Sequence, residues 1–122
     1  MKAKVLLVDD EPVVREIVGK KLAQKDYEVY TAADGDEGME CARKTTPDLI
    51  LLDLRMPKKD GMTMLKELKE DKVLCDVPVV VVTARSSYFE IREGKELGAA
   101  AYLVKPVQFT DLMFYVERYA RA

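Results

Sequence analysis

Apolar residues in this chain fall into short unbroken runs, separated by longer stretches where they recur every three or four positions. The clearest runs are Val5-Leu6-Leu7-Val8, Leu49-Ile50-Leu51-Leu52, Val79-Val80-Val81-Val82 and Tyr102-Leu103-Val104. Runs of this length, bounded by turn residues, read as buried strands. Glu11-Pro12 predicts a helix to about Lys25, with acids in its first turn and Pro at its start, where the missing N–H costs nothing. Val14, Ile17, Val18 and Leu22 are its expected buried stripe. Glu28 to Thr31 predicts a short strand, and Asp34-Gly35-Asp36 the start of a helix through Lys44. Thr46-Pro47 breaks the chain before a strand over 48–52. Lys58-Lys59-Asp60-Gly61 predicts a turn, and the helix after it, to about Asp71, carries Met62, Leu65 and Leu68 at helical spacing. A strand over 79–82 follows. Ser87 with Glu90 three residues later predicts a capping box for a helix ending at Leu97-Gly98. Ala101 to Val104 is the last expected strand and Phe109 to Ala120 the last helix.

Five strands and five helices in strict alternation define an α/β chain. Nearly continuous apolar strands joined by helical crossovers imply a parallel sheet covered on both faces. Right-handed crossovers and this length favour a doubly wound, flavodoxin-like sheet in the order 2-1-3-4-5. Ligands in such sheets bind beyond the carboxyl ends of the strands, where the order reverses, here between the first and third strands. A single domain over 1–122 is expected.

Composition narrows the function classes. Twenty basic and 22 acidic residues give a net charge of −2, which points to neither nucleic acid nor an anionic membrane as direct partner. The longest apolar stretch, Val77 to Ala84, is interrupted by Pro78 and too short to span a bilayer. Met1-Lys2-Ala3-Lys4 leads straight into a strand-like run without signal-peptide architecture, so a cytoplasmic address is expected. Cys41 and Cys75, 34 positions apart, fit no metal or redox spacing and read as reduced, semi-buried thiols. The chain has no histidine, which excludes Ser-His-Asp and Cys-His catalysis and histidine-ligated zinc. Any phosphohistidine must therefore belong to another protein.

Each apolar run stops at a residue suited to phosphate or metal chemistry. Val8 is followed by Asp9-Asp10, Leu52 by Asp53, Val82 by Thr83, and Val104 by Lys105-Pro106. Taken singly these are a helix N-terminus, a turn acid, a helix cap and a surface loop. At successive strand ends of one parallel sheet they would bring three carboxylates, a hydroxyl and an ammonium into one crevice. Clustered carboxylates repel each other unless a cation intervenes, and oxygen-only ligands favour a hard ion, with Mg²⁺ (or Mn²⁺) fitting best. A carboxylate is also a nucleophile able to form an acyl phosphate. Asp53, the lone acid at a central strand end, is the natural acceptor; Asp10, with Asp9 through water, would hold the metal.

These residues carry a resemblance along the whole chain. Val8-Asp9-Asp10-Glu11-Pro12, Asp48-Leu49-Ile50-Leu51-Leu52-Asp53-Leu54-Arg55-Met56-Pro57, Asp60-Gly61, Val82-Thr83-Ala84 and Gly98-Ala99-Ala100-Ala101-Tyr102-Leu103-Val104-Lys105-Pro106 resemble a response-regulator receiver domain of two-component signalling, of the chemotaxis-regulator-like kind. The resemblance implies that Asp53 accepts a phosphoryl group from a histidine kinase or histidine phosphotransfer protein and loses it by hydrolysis. It implies a metal held by Asp10, Asp53 and the backbone carbonyl of Arg55, with Thr83 and Lys105 on the phosphoryl oxygens. It further implies a cis Lys105-Pro106 peptide and a switch in which the Thr83 hydroxyl moves with the Tyr102 ring. Signalling would pass through the fourth helix, last strand and last helix to an output domain, a downstream protein or a second copy. Catalysis would be limited to self-catalysed phosphoryl transfer and loss. Val107 and Gln108 depart from the family pattern without touching the chemistry.

Two features go beyond the resemblance. Arg55 and Arg85 each lie two residues past a site residue; being always charged, neither activates water. They are expected to crowd the attacking water and lengthen the phosphoryl lifetime. At ~100° per residue, Leu112, Met113, Val116, Tyr119 and Ala120 share one face of the last helix, while Phe114 lies opposite among Thr110, Glu117, Arg118 and Arg121. Phe114 is thus expected at a partner or dimer contact. Gly94, inside the fourth helix, costs ~1 kcal/mol against helix and should leave it repositionable. An FMN carrier is disfavoured because Asp9-Asp10-Glu11 repels phosphate, and a haloacid-dehalogenase-type phosphatase because Arg55 stands where a second acid is wanted. A phosphate-silent module would have lost one of the acids, Thr83 or Lys105.

Overall fold

The computed structural model describes residues 2–56 and 58–121; Pro57 of the sequence motif lies outside the described residues. Its elements are β1 (Lys4–Val8), α1 (Pro12–Gln24), β2 (Glu28–Ala32), α2 (Gly35–Thr45), β3 (Leu49–Leu52), α3 (Gly61–Glu70), β4 (Val79–Thr83), α4 (Tyr88–Glu96), β5 (Ala101–Val104) and α5 (Phe109–Tyr119). The strands form one parallel sheet in the order β2-β1-β3-β4-β5, the expected topology.

Alternation within each strand builds two cores. Leu6, Val8, Ile50, Leu52, Val79 and Val81 face α2 and α3, where Met39, Ala42, Met64, Leu65 and Leu68 pack. Val5, Leu7, Leu49, Leu51 and Val80 face α1 and α5, against Leu22, Leu112, Met113 and Val116. This two-sided burial is why the central strands are apolar at every position. The edge strands β2 and β5 are only partly buried, and their sequences are correspondingly mixed.

The expected buried stripe of α1 requires correction. Leu22 is buried and Val14 and Val18 are half-buried, but Ile17 is 50% exposed. The helix turns its Gly19 side toward β2, where an added Cβ would lie 3.9 Å from Val29 and 4.0 Å from Thr31. The buried row is therefore 14-18-22, with Ile17 rotated out. Nor does the first turn of α1 hold an acid: Glu11 is its N-cap and Pro12 its first residue.

The other helix ends follow their sequence signals. Asp34 accepts from the Glu37 amide, and Asp60 from the Met62 amide. Ser87 accepts from the Glu90 amide while its hydroxyl donates to the Glu90 carboxylate. At the end of α4 the amides of Gly98 and Ala99 reach back to the carbonyls of Lys95 and Gly94, a Schellman closure.

Gly61 is where the frame meets the chemistry. An added Cβ would stand 2.5 Å from both the Asp53 carbonyl oxygen and the Leu54 Cα, backbone atoms that cannot rotate away. Gly61→Ala is expected to lower unfolding free energy by about 1–3 kcal/mol, the usual range for overpacking. Urea denaturation checks this, and a midpoint unchanged from wild type would contradict it.

Candidate functional site

Strands β1, β3 and β4 end in the same local device. The Asp9 Oδ1 accepts the Glu11 amide (2.9 Å), the Asp53 Oδ1 accepts the Arg55 amide (3.0 Å), and the Thr83 hydroxyl faces the Arg85 amide at 3.4 Å. An amide two residues on thus fixes one oxygen of each acid, leaving the other to the crevice. Backbone bonds lock the turns in place. The Asp9 amide donates to Ala32, the Asp53 amide to Val8, and the Arg15 guanidinium to the Asp9 carbonyl at 2.7 Å.

Lys105 enters from the end of β5, its amide bonded to the Thr83 carbonyl and its peptide to Pro106 cis. Its Nζ donates to Asp9 Oδ2 (2.7 Å), Asp53 Oδ2 (3.1 Å) and Glu11 Oε1 (3.1 Å). Asp9, Asp53 and Thr83 are all buried. Burial pushes the Asp9 carboxyl above its ordinary value despite the pull of Lys105 and the Glu11 amide, and the Asp53 charge adds to the rise. Burial alone would lower the Lys105 ammonium, but the hydrogen bond and charge of Asp9, then those of Asp53, hold it well above an ordinary lysine. The ammonium is therefore a permanent cation in the crevice.

Asp9, Asp10, Glu11 and Asp53 each offer a carboxylate oxygen, all within 4.8 Å of one another. An all-oxygen set with two exposed members suits a hard, partly hydrated dication such as Mg²⁺ better than a soft or imidazole-seeking metal. The sequence places Glu11 at a helix start and in the acidic turn that repels phosphate, but not as a partner of Lys105. Asp60 reads from sequence as a turn residue, yet it also pairs with Arg85. No spacing rule links position 11 to 105 or 60 to 85, so neither contact had a sequence signal.

The second ring of residues lies around Arg85. Its guanidinium holds Asp60 (2.9 Å) and Glu90 (3.4 Å), joining the starts of α3 and α4, and its carbonyl accepts the Tyr102 hydroxyl (2.9 Å). The Tyr102 ring packs against α4 at Gly94, where an added Cβ would lie 3.0 Å away. Gly94 therefore has a packing role beyond its helix-weakening one. The Arg55 side chain is exposed. Phe114 is 63% exposed, stacked edge-on against Tyr115, and lines a groove with Leu103, Val104, Pro106 and Val107. No helix among the described residues is long and apolar enough to cross a membrane.

Comparison with known proteins agrees with this geometry. A family signature described as the response regulator receiver domain matches residues 5–117. The chain is 41% identical over 111 residues to the probable transcriptional regulator ycf27 of Porphyridium aerugineum, covering 91% of this chain and 45% of that protein. It is 35% identical over 118 residues to the DNA-binding dual master transcriptional regulator RpaA of Synechocystis sp., covering 97% of this chain and 49% of that one. The chain thus spans less than half the length of these curated relatives. Among solved structures, the Vibrio cholerae chemotaxis protein CheY4 superposes with a TM-score of 0.91 at 35% identity, covering 98% of this chain and 99% of that one. The BeF3-activated receiver domain of Klebsiella pneumoniae RstA gives 0.89 at 29% identity, covering 98% and 99%. With its five-stranded topology, its acids at the ends of β1 and β3 and its lysine after β5, the chain belongs to the response-regulator receiver domains of two-component signalling.

Proposed function

We propose that Asp53 is the phosphoacceptor of this receiver domain. The observation that carries the reading is the Lys105 ammonium bridging Asp9 and Asp53, from three strand ends, beside buried Thr83. The donor is a phosphohistidine of a kinase or histidine phosphotransfer protein. The Asp53 oxygen facing the crevice, Oδ2, attacks phosphorus as Lys105 shifts from it to the phosphoryl group; the P–N bond breaks, and its electron pair returns to the imidazole, which takes up a proton. Lys105 and Thr83 bind the phosphoryl oxygens as charge shifts onto them. Asp10, Asp53 and the Arg55 carbonyl, with Asp9 through water, would hold Mg²⁺ (or Mn²⁺), which would supply positive charge to the phosphoryl oxygens. Hydrogen bonds from the Glu11 and Arg55 amides orient the Asp9 and Asp53 carboxylates toward the crevice. Hydrolysis of the acyl phosphate returns the domain to rest, and no further catalytic activity is assigned to it.

The decisive test is mass spectrometry after incubation with Mg²⁺ and a small acyl-phosphate donor. The wild type is expected to gain one acid-labile phosphoryl group and Asp53→Ala none. A wild type that stays unmodified refutes the assignment.

Arg55 and Arg85 are proposed to shield the phosphoryl group from water. The Arg55 amide bonds Asp53 and the Arg85 amide faces the Thr83 hydroxyl, so both side chains branch from turns that carry site residues. Arg55→Asn and Arg85→Ala are each expected to speed dephosphorylation by more than about threefold, ~0.7 kcal/mol in barrier. Rates within that limit of wild type, followed by loss of the phosphorylated mass, count against it.

Output is proposed to pass through the α4–β5–α5 face, with the Tyr102 ring and Thr83 hydroxyl as its switch, to an output domain, a downstream protein or a second copy of the chain. Lack of nucleic acid contact by the domain itself and a cytoplasmic setting, with 1–122 as one unit, complete the proposal. Exposed Phe114 at the groove beside β5 supports it. Phe114→Ala is expected to weaken self-association or partner binding while leaving phosphorylation intact; sedimentation of the phosphorylated forms, with pull-down of the partner, reads this out.

A further inference from the structure

Lys105 makes one contact more than the phosphoacceptor reading uses. An ammonium has three N–H donors, and each here meets a different carboxylate: Asp9 at 2.7 Å, Asp53 at 3.1 Å and Glu11 at 3.1 Å. Asp9 and Asp53 are buried, whereas the Glu11 side chain is 59% exposed. Glu11 is also the N-cap of α1, a position where a shorter Ser, Thr, Asp or Asn side chain would accept an amide of the first turn. It makes no such bond. Its backbone is tied at both ends, the amide to Asp9 Oδ1 (2.9 Å) and the carbonyl to the Arg15 amide (3.1 Å). The turn therefore presents the Glu11 carboxylate to Lys105 across the mouth of the crevice instead of along its own helix.

A dication shared by Asp10 and Asp53, with Asp9 beside it, changes what Lys105 experiences. The cation takes up the lone pairs of those acids and repels the neighbouring ammonium. Glu11 is the remaining acid that contacts Lys105 and still attracts it. We propose that Glu11 is a positioning residue for Lys105. It holds the ammonium at the rim of the crevice when a divalent cation is bound, so that Lys105 neither competes for the metal-binding acids nor drifts into solvent before a phosphoryl group arrives. The proposal rests on the phosphoacceptor reading and adds a residue to it.

The test is a double-mutant cycle on Mg²⁺ affinity, measured by calorimetry for the wild type, Glu11→Gln, Lys105→Met and the double variant. The direct attraction of Glu11 for the cation is lost in both lysine backgrounds, so only its hold on Lys105 separates them. Glu11→Gln is expected to weaken Mg²⁺ binding by about threefold more with Lys105 present than with Met at that position. A second readout needs no lysine variant. The ¹⁵N signal of the Lys105 ammonium should be protected from exchange in the Mg²⁺-loaded wild type and lost in Glu11→Gln. Equal losses in the two backgrounds, or an ammonium signal unaffected by Glu11→Gln, overturn the proposal. A wild type that fails to bind Mg²⁺ removes the metal reading and this proposal with it, a result distinguishable because it appears before any substitution is made.

Discussion

The contact on which the site depends is the Lys105 ammonium set between Asp9 and Asp53. Two buried carboxylates at neighbouring strand ends repel each other, and removing a buried charge from water is costly unless a partner stands close. Lys105 supplies that partner from the far side of the sheet. β5 is separated from β3 by β4, so the long lysine stem reaches back over the Thr83 end of β4 to arrive between the acids. An arginine in its place would bring a planar fork in place of a point charge with three rotatable donors. The compact ammonium suits three acids approaching from different directions.

Everything beneath the site serves to keep those strand ends fixed. The central strands are apolar on both faces and enclosed by two helical layers, so their registers have no room to slip. At the exit of each strand a single amide two residues on anchors one side-chain oxygen, for Asp9 and Asp53 at hydrogen-bond length and for Thr83 more loosely.

Arg85 extends the site outward. One residue joins the N-terminus of α3 through Asp60, the first turn of α4 through Glu90 and the edge strand through Tyr102. Gly94 completes the arrangement by letting the Tyr102 ring lie directly on the α4 backbone. The Thr83 turn is therefore joined by short contacts to Tyr102 and to the start of α4, which carries the strongly exposed Tyr88 and Phe89.

Local pattern determined a great deal. The ten elements, the parallel order and the residues at strand ends were legible because burial on both faces forces unbroken apolar runs, and because helix starts such as Asp34 and Ser87 act within one turn. The receiver motifs added family membership. The inward row of α1 was legible at Val14, Val18 and Leu22 but not at its edge, since the choice between Ile17 and the Gly19 side depends on how closely β2 approaches. Nor were the Glu11–Lys105 and Asp60–Arg85 pairs, which join residues 94 and 25 positions apart. Periodicity governs what a residue does within its own helix or strand. Only the packed sheet decides which distant charges share a crevice, because that follows from strand order and side-chain reach together.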